Sequence, residues 1–122
     1  MEHRCTPRTV SNVDVIILKQ GMPVGVGKIV NGNRWGVYVL SEFRHLETEQ
    51  QISLEVIHMR AERFIQKSIK IEALVIHTNN QGFGLEIDIE STEQADLFLQ
   101  MLSNSISNQE WSEPRIRKLA NA

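Results

Sequence analysis

The sequence predicts an all-β-dominated fold: a small six-stranded antiparallel β-barrel with a flexible N-terminal arm and one C-terminal α-helix. Three observations carry this expectation. Six Val- and Ile-rich segments follow one another, separated by clusters of Gly, Asn and Pro. The clearest of them alternate apolar and polar residues with period two, as half-buried strands do. At Ser91 the period changes to that of a helix, and it does so once.

The elements fall in order. Residues 1–12 form the expected arm, with Pro7 and no apolar run in its opening eight residues, extended or mobile until something orders it. Val13 to Leu18 is the first strand segment, closed by Lys19-Gln20-Gly21-Met22-Pro23. Val24 to Val30 follows, and its Gly25 and Gly27 on one face suggest tight curvature, as in a small barrel. Asn31-Gly32-Asn33 has turn character, and Trp35 to Leu40 is the third strand. Ser41 to Gln50 is a polar connection. Ile52, Leu54 and Val56 mark the fourth strand, Ile69 to His77 the fifth. After Asn79-Asn80-Gln81-Gly82, Phe83, Leu85, Ile87 and Ile89 alternate with polar residues and glycine as the sixth. Ser91 with Gln94 three residues on is a capping-box signature, and Glu93 adds a carboxylate to the first turn. Ala95, Phe98, Leu99, Leu102 and Ile106 then recur at helical spacing, enough to pack one helix on the barrel. Barrel and helix together occupy residues 13–107. Residues 108–122 are a polar tail with an Arg115-Ile116-Arg117-Lys118 patch.

Composition narrows the function. The chain has 122 residues, 41% of them hydrophobic and 23% charged, so one globular domain is expected. Aromatic residues make up 6%, which leaves the core to aliphatic side chains. No run is long enough for a membrane span and no secretory signal is seen, so no membrane insertion and a cytoplasmic location are expected. The single Cys5 excludes an internal disulfide framework. A net charge of -2 gives no general attraction to nucleic acid. An oligonucleotide-binding barrel would need distributed positive charge and stacking aromatics, so no nucleic-acid polymer is expected as a partner. His3, His45, His58 and His77 show no metal-ligand spacing, and no nucleophile elbow or phosphate loop is present, so neither an enzyme nor a cofactor is expected.

Useful positive charge is concentrated in the arm. Arg4-Cys5-Thr6-Pro7-Arg8 is an R-x-x-x-R box, preceded by His3. Later, at the junction of the second and third strands, stands Asn31-Gly32-Asn33-Arg34-Trp35-Gly36. Together these resemble the PilZ domain family, whose pattern is R-x-x-x-R followed one strand-pair later by [D/N]-x-S-x-x-G. The resemblance extends over the arm, the first three strands, Gly82 to Ile87 and the closing helix. It implies a bacterial receptor for cyclic di-GMP, with Arg4 and Arg8 on phosphates and guanine edges and Asn31 and Gly36 on the base side. The residue types suit that ligand. Guanidinium groups bond bidentately to phosphate oxygens and to the O6/N7 edge of guanine, and they stack on purines. Closing an arm over the ligand costs about 1–2 kcal/mol per backbone residue fixed.

Two positions depart from the family pattern. Asn33 stands where the family has Ser; its carboxamide offers a donor and an acceptor in place of the hydroxyl, or crowds the site. His3 occupies a position where many relatives carry a further Arg, and it is charged only in part near neutral pH. For Trp35 a packed or partly exposed strand position is expected over a base-stacking one, and for His77, at a strand end near the expected barrel mouth, a surface position over a stack on guanine. The resemblance further implies a single-domain receptor whose ligand-ordered arm changes the surface met by a protein partner of the pilus, flagellar or biofilm machinery. The alternative is a degenerate adaptor of the same type that binds protein and no nucleotide.

Overall fold

A computed structural model describes residues 7–60 and 65–105. Its six strands are β1 (Thr9–Lys19), β2 (Met22–Gly32), β3 (Gly36–Leu40), β4 (Gln51–Arg60), β5 (Ile65–Thr78) and β6 (Gly82–Asp88). All pair antiparallel in the circular order β1-β2-β3-β6-β5-β4, with β4 returning to β1 to close the barrel. Closure leaves no continuous open sheet edge, the usual liability of a small β-domain. The expected fold class is the observed one.

Boundaries shift for physical reasons. Residues 9–12, expected in the arm, belong to β1: Thr9 and Val10 pair with Gly32 and Asn31. The polar residues Thr9, Ser11 and Asn12 do not look like strand, but Ser11 is buried and Asn12 donates its backbone N–H to Ser105 Oγ at 2.9 Å. Asn31 and Gly32, expected to turn, are the last residues of β2, and the turn itself is Asn33–Gly36. The β4–β5 hairpin also runs farther than its apolar pattern, pairing as far as Arg60 with Ile65.

β3 and β4 stand on opposite sides of the barrel order, so residues 41–50 must cross one end. The connection is polar in composition, yet it buries Leu46 and packs Phe43 over Gly25. Gly25 and Gly27 point inward, beneath Phe43 and beside Val39, consistent with the close packing expected of them. At the other end β6 feeds a helix, α1, described over residues 92–105. Ser91 starts it as an N-cap: its Oγ accepts from the Gln94 N–H at 3.2 Å and its carbonyl from the Ala95 N–H at 3.0 Å. Ala95, Phe98, Met101 and Leu102 are buried in one cluster with the barrel's Val, Ile and Leu residues. Met101 takes a deeper place than Leu99, which is only partly buried. Ile106 and the tail with its basic patch lie outside the described residues.

A near-repeat hides inside this barrel. The β2–β3 and β5–β6 hairpins use the same turn, Asn-x-x-Gly, at Asn33–Gly36 and Asn79–Gly82. In each, the Asn side-chain oxygen accepts the N–H groups two and three residues on, and the Asn N–H bonds the Gly carbonyl. In each, the incoming strand also carries one extra residue, Val30 in β2 and Ile76 in β5. Residues correspond at one constant offset: Asn31 with His77, Asn33 with Asn79, Gly36 with Gly82, Tyr38 with Gly84. Because Tyr38 pairs with Gly84, while Gly36 pairs with Glu86 and Leu40 with Gly82, a local two-fold passes through the Tyr38–Gly84 pair.

Candidate functional site

The two bulges decide which side chains face outward. Side chains alternate along a strand, so were Val30 an ordinary paired residue, Ile29 and Asn31 would share a face. Ile29 is fully buried against Val39; past the bulge at Val30, Asn31 pairs with the outward Tyr38. In β5, Val75 is fully buried, and the bulge at Ile76 turns His77 outward, opposite Gly84. Asn31, Tyr38, Gly84 and His77 thus form one row across β2, β3, β6 and β5 on the outside of the barrel.

Arg8 joins one end of that row. Its Nη1 donates to Asn31 Oδ1 at 3.1 Å, across 23 residues of sequence, and the pair is exposed. The guanidinium also lies over Gly36: a Cβ there would come within 3.2 Å of Arg8 Nη2 and 3.0 Å of the Leu85 carbonyl. A side chain at this position would therefore crowd the Arg8 guanidinium and the Leu85 carbonyl. Arg8, Asn31, Asn33 and Gly36 are brought together at the end of the barrel nearest α1, with Glu86 paired opposite Gly36 on the same outer face. Arg4 and His3 lie outside the described residues. Among the described residues Arg8 bonds one neutral acceptor, on an exposed surface, and a guanidinium carries five N–H donors.

Asn33 has a part that spacing did not reveal. It is 4% exposed, and its Oδ1 accepts from the Trp35 N–H at 2.7 Å and the Gly36 N–H at 3.0 Å. The carboxamide oxygen thus shapes the turn that presents Gly36. Asn33→Ala strands two N–H groups, one of them buried, and is expected to cost about 1–3 kcal/mol. Asn33→Ser, which restores an acceptor on a shorter side chain, should cost less. Urea denaturation of the three proteins checks the ranking; equal stability of all three would show that the turn does not depend on this oxygen.

Trp35 is 39% exposed and carries the Arg34 guanidinium 4.8 Å from its ring centre. Its backbone carbonyl accepts from the Ile87 N–H at 2.9 Å, which fixes it at the strand edge beside the site. Tyr38 escaped the sequence reading, as it looks like any outward strand residue in a Val-rich segment. Its ring stacks with His77 at 5.9 Å between centres and 21° between planes, and its hydroxyl donates to Asn79 Oδ1 at 2.8 Å. A second surface feature shares no residue with this row. An apolar groove of about 1070 Å³ runs past Val24, Val26, Leu40, Phe43 and Ile57, with Val26 69% exposed.

Among the described residues no three His, Cys, Asp or Glu side chains gather as a metal would require. Among them, too, no helix is long and apolar enough to cross a membrane. Compared with protein-family models and with curated proteins, the chain matches none.

Proposed function

We propose that this protein is a cyclic di-GMP receptor of the PilZ type, without enzymatic activity, acting in the bacterial cytoplasm. The observation that carries the reading is the meeting of Arg8 with Asn31 and Gly36. Two motifs separated by a hairpin in sequence converge on one outward face, with a guanidinium over a glycine and beside a carboxamide. That sets a planar charged donor beside a carboxamide and a residue without a side chain, with the Glu86 carboxylate opposite, a set of groups able to meet phosphate oxygens and the guanine edges. Arg8 and Arg4 supply phosphate and guanine-edge contacts, Asn31 accepts from the guanine donor edge, and Asn33 holds the turn. His3 adds partial charge beside Arg4. Ligand binding orders the N-terminal arm ahead of Arg8 on the barrel and so alters the surface met by a protein partner, a component of pilus, flagellar or biofilm machinery.

Titration calorimetry with cyclic di-GMP on the full chain tests this. Saturable heat and a rise in melting temperature are expected, with a change in Trp35 fluorescence, since Trp35 sits inside the second motif. Absence of both heat and thermal stabilisation at saturating nucleotide would sink the receptor reading.

The apolar groove favours a second reading, an adaptor that binds protein and no nucleotide. A contiguous apolar surface rimmed by charged residues, here Asp14, Lys28, Glu42 and Arg44, is a common mark of a protein-binding site. A null titration together with nucleotide-independent capture of a partner, abolished by Val26→Glu, would select the adaptor.

A further inference from the structure

The outward row does not stop at Asn31. Tyr38 and His77 continue it, and neither is needed for phosphate or guanine-edge contacts. We propose that the Tyr38–His77 ring pair is a base-stacking platform that takes the face of a purine, so that the nucleotide site runs across β2, β3, β6 and β5. This rests on the cyclic di-GMP reading above.

The geometry supplies the reasons. His77 lies over Gly84, where any Cβ would collide with the imidazole ring. Gly84 is buried beneath it while His77 is exposed, so the stacked ring pair stands on the strand with its outer side toward solvent. Because Gly84 carries no side chain, Tyr38 and His77 meet across the intervening strand with nearly parallel planes. The Tyr38 hydroxyl is anchored on Asn79, which fixes the ring in place. Flat aromatic surface held rigidly beside a guanidinium is what a nucleobase stacks on, and such stacking tolerates any base because every base has a π-face. Symmetry adds an independent reason. Asn31 and His77 occupy equivalent places on either side of the local two-fold through Tyr38–Gly84. A ligand made of two equal nucleotide halves meets Asn31 with one half and the ring pair with the other. Three strand spacings separate the ends of the row, about 14 Å at roughly 4.8 Å each.

A structural role alone, rings filling the space above Gly84, makes different predictions. Calorimetry with cyclic di-GMP should be run on the full-length wild type, Tyr38→Ala, His77→Ala and Tyr38→Phe, each checked for folding by circular dichroism. Wild type should bind, the two alanine variants about 5- to 150-fold more weakly, and Tyr38→Phe within about threefold, since it keeps the ring. In the wild type, the His77 ring proton resonances should move upfield on saturation with the nucleotide, a measurement that needs no variant. Binding by wild type with unmoved His77 resonances, or with folded alanine variants of unchanged Kd, overturns the platform and leaves the receptor reading intact. No binding by wild type overturns the receptor reading, and the platform with it.

Discussion

Replacing Arg8 with alanine is expected to weaken cyclic di-GMP binding by about 1.5–3 kcal/mol, roughly 10- to 150-fold in Kd. The range is that of a charged group losing its hydrogen-bond partner, and Arg8 is well placed to reach it. Its guanidinium already sits over Gly36 and on Asn31, so little reorganisation is needed before it meets an acceptor. Arg8→Lys keeps the charge and loses the planar fork, so it should fall between the two. Arg4→Ala should lose a similar amount, because the box works by supplying two guanidinium groups to one dianion. Stability should hardly change in Arg8→Ala: a neutral-acceptor bond on an exposed surface contributes little. Calorimetry and thermal melting on the same samples separate the two effects. A variant that binds within twofold of wild type would remove Arg8 from the site, however close to Asn31 it lies.

Phe98→Ala carries the largest expected effect on folding, a loss of about 3–5 kcal/mol. The ring is fully buried, at the centre of the face that α1 sets against the barrel. Truncation removes the contacts that tie the helix to the sheet, and a helix of this length has little stability alone. At about 4 °C per kcal/mol for a domain near this size, melting should fall by roughly 12–20 °C. The helix end of the barrel is also the Arg8–Gly36 end, so a loosened helix should weaken ligand binding as well. A fall of under about 1 kcal/mol in urea would mean that the barrel keeps its stability without the helix packed upon it.

How much of this was legible in the sequence depends on whether a feature belongs to one segment or to a pairing of segments. The later strands were legible because Leu54 and Val56, and Leu85 and Ile87, alternate with polar residues, and burial follows that alternation; the first was legible as the Val- and Ile-rich run from Val13 to Leu18. The helix start was legible because Ser91 caps within its own turn. Convergence of Arg8 with Asn31 and Gly36 was legible only through two motifs held in order, since nothing local in either segment points to the other. The bulges were not legible. Val30 and Ile76 are β-branched strand residues like their neighbours, and an extra residue exists only relative to the partner strand. The start of β1 was hidden for a similar reason: Thr9 to Asn12 are polar, and what recruits them is pairing with β2 and contact with Ser105. Asn33 was legible in position and not in direction, because one carboxamide oxygen suits a ligand and a turn equally well. Tyr38 and His77 gave no joint signal, since what unites them is the missing side chain of Gly84 on the strand between.

The two bulges give the outer row an unusual kind of tolerance. What places Asn31 and His77 outside the barrel is their pairing opposite Tyr38 and Gly84, and any side chain that tolerates a strand serves at positions 30 and 76. Loss of Val30 or Ile76 outright would leave Ile29 opposite Val39 and Val75 opposite Leu85, with the next residue still facing out. Elsewhere in a strand a deletion turns every side chain beyond it to the other face, whereas here the spare residue absorbs the loss. In a lineage of such chains the pairing of Asn31 with Tyr38 and of His77 with Gly84 is what selection for the outer row would hold constant, while the residue between is free to drift.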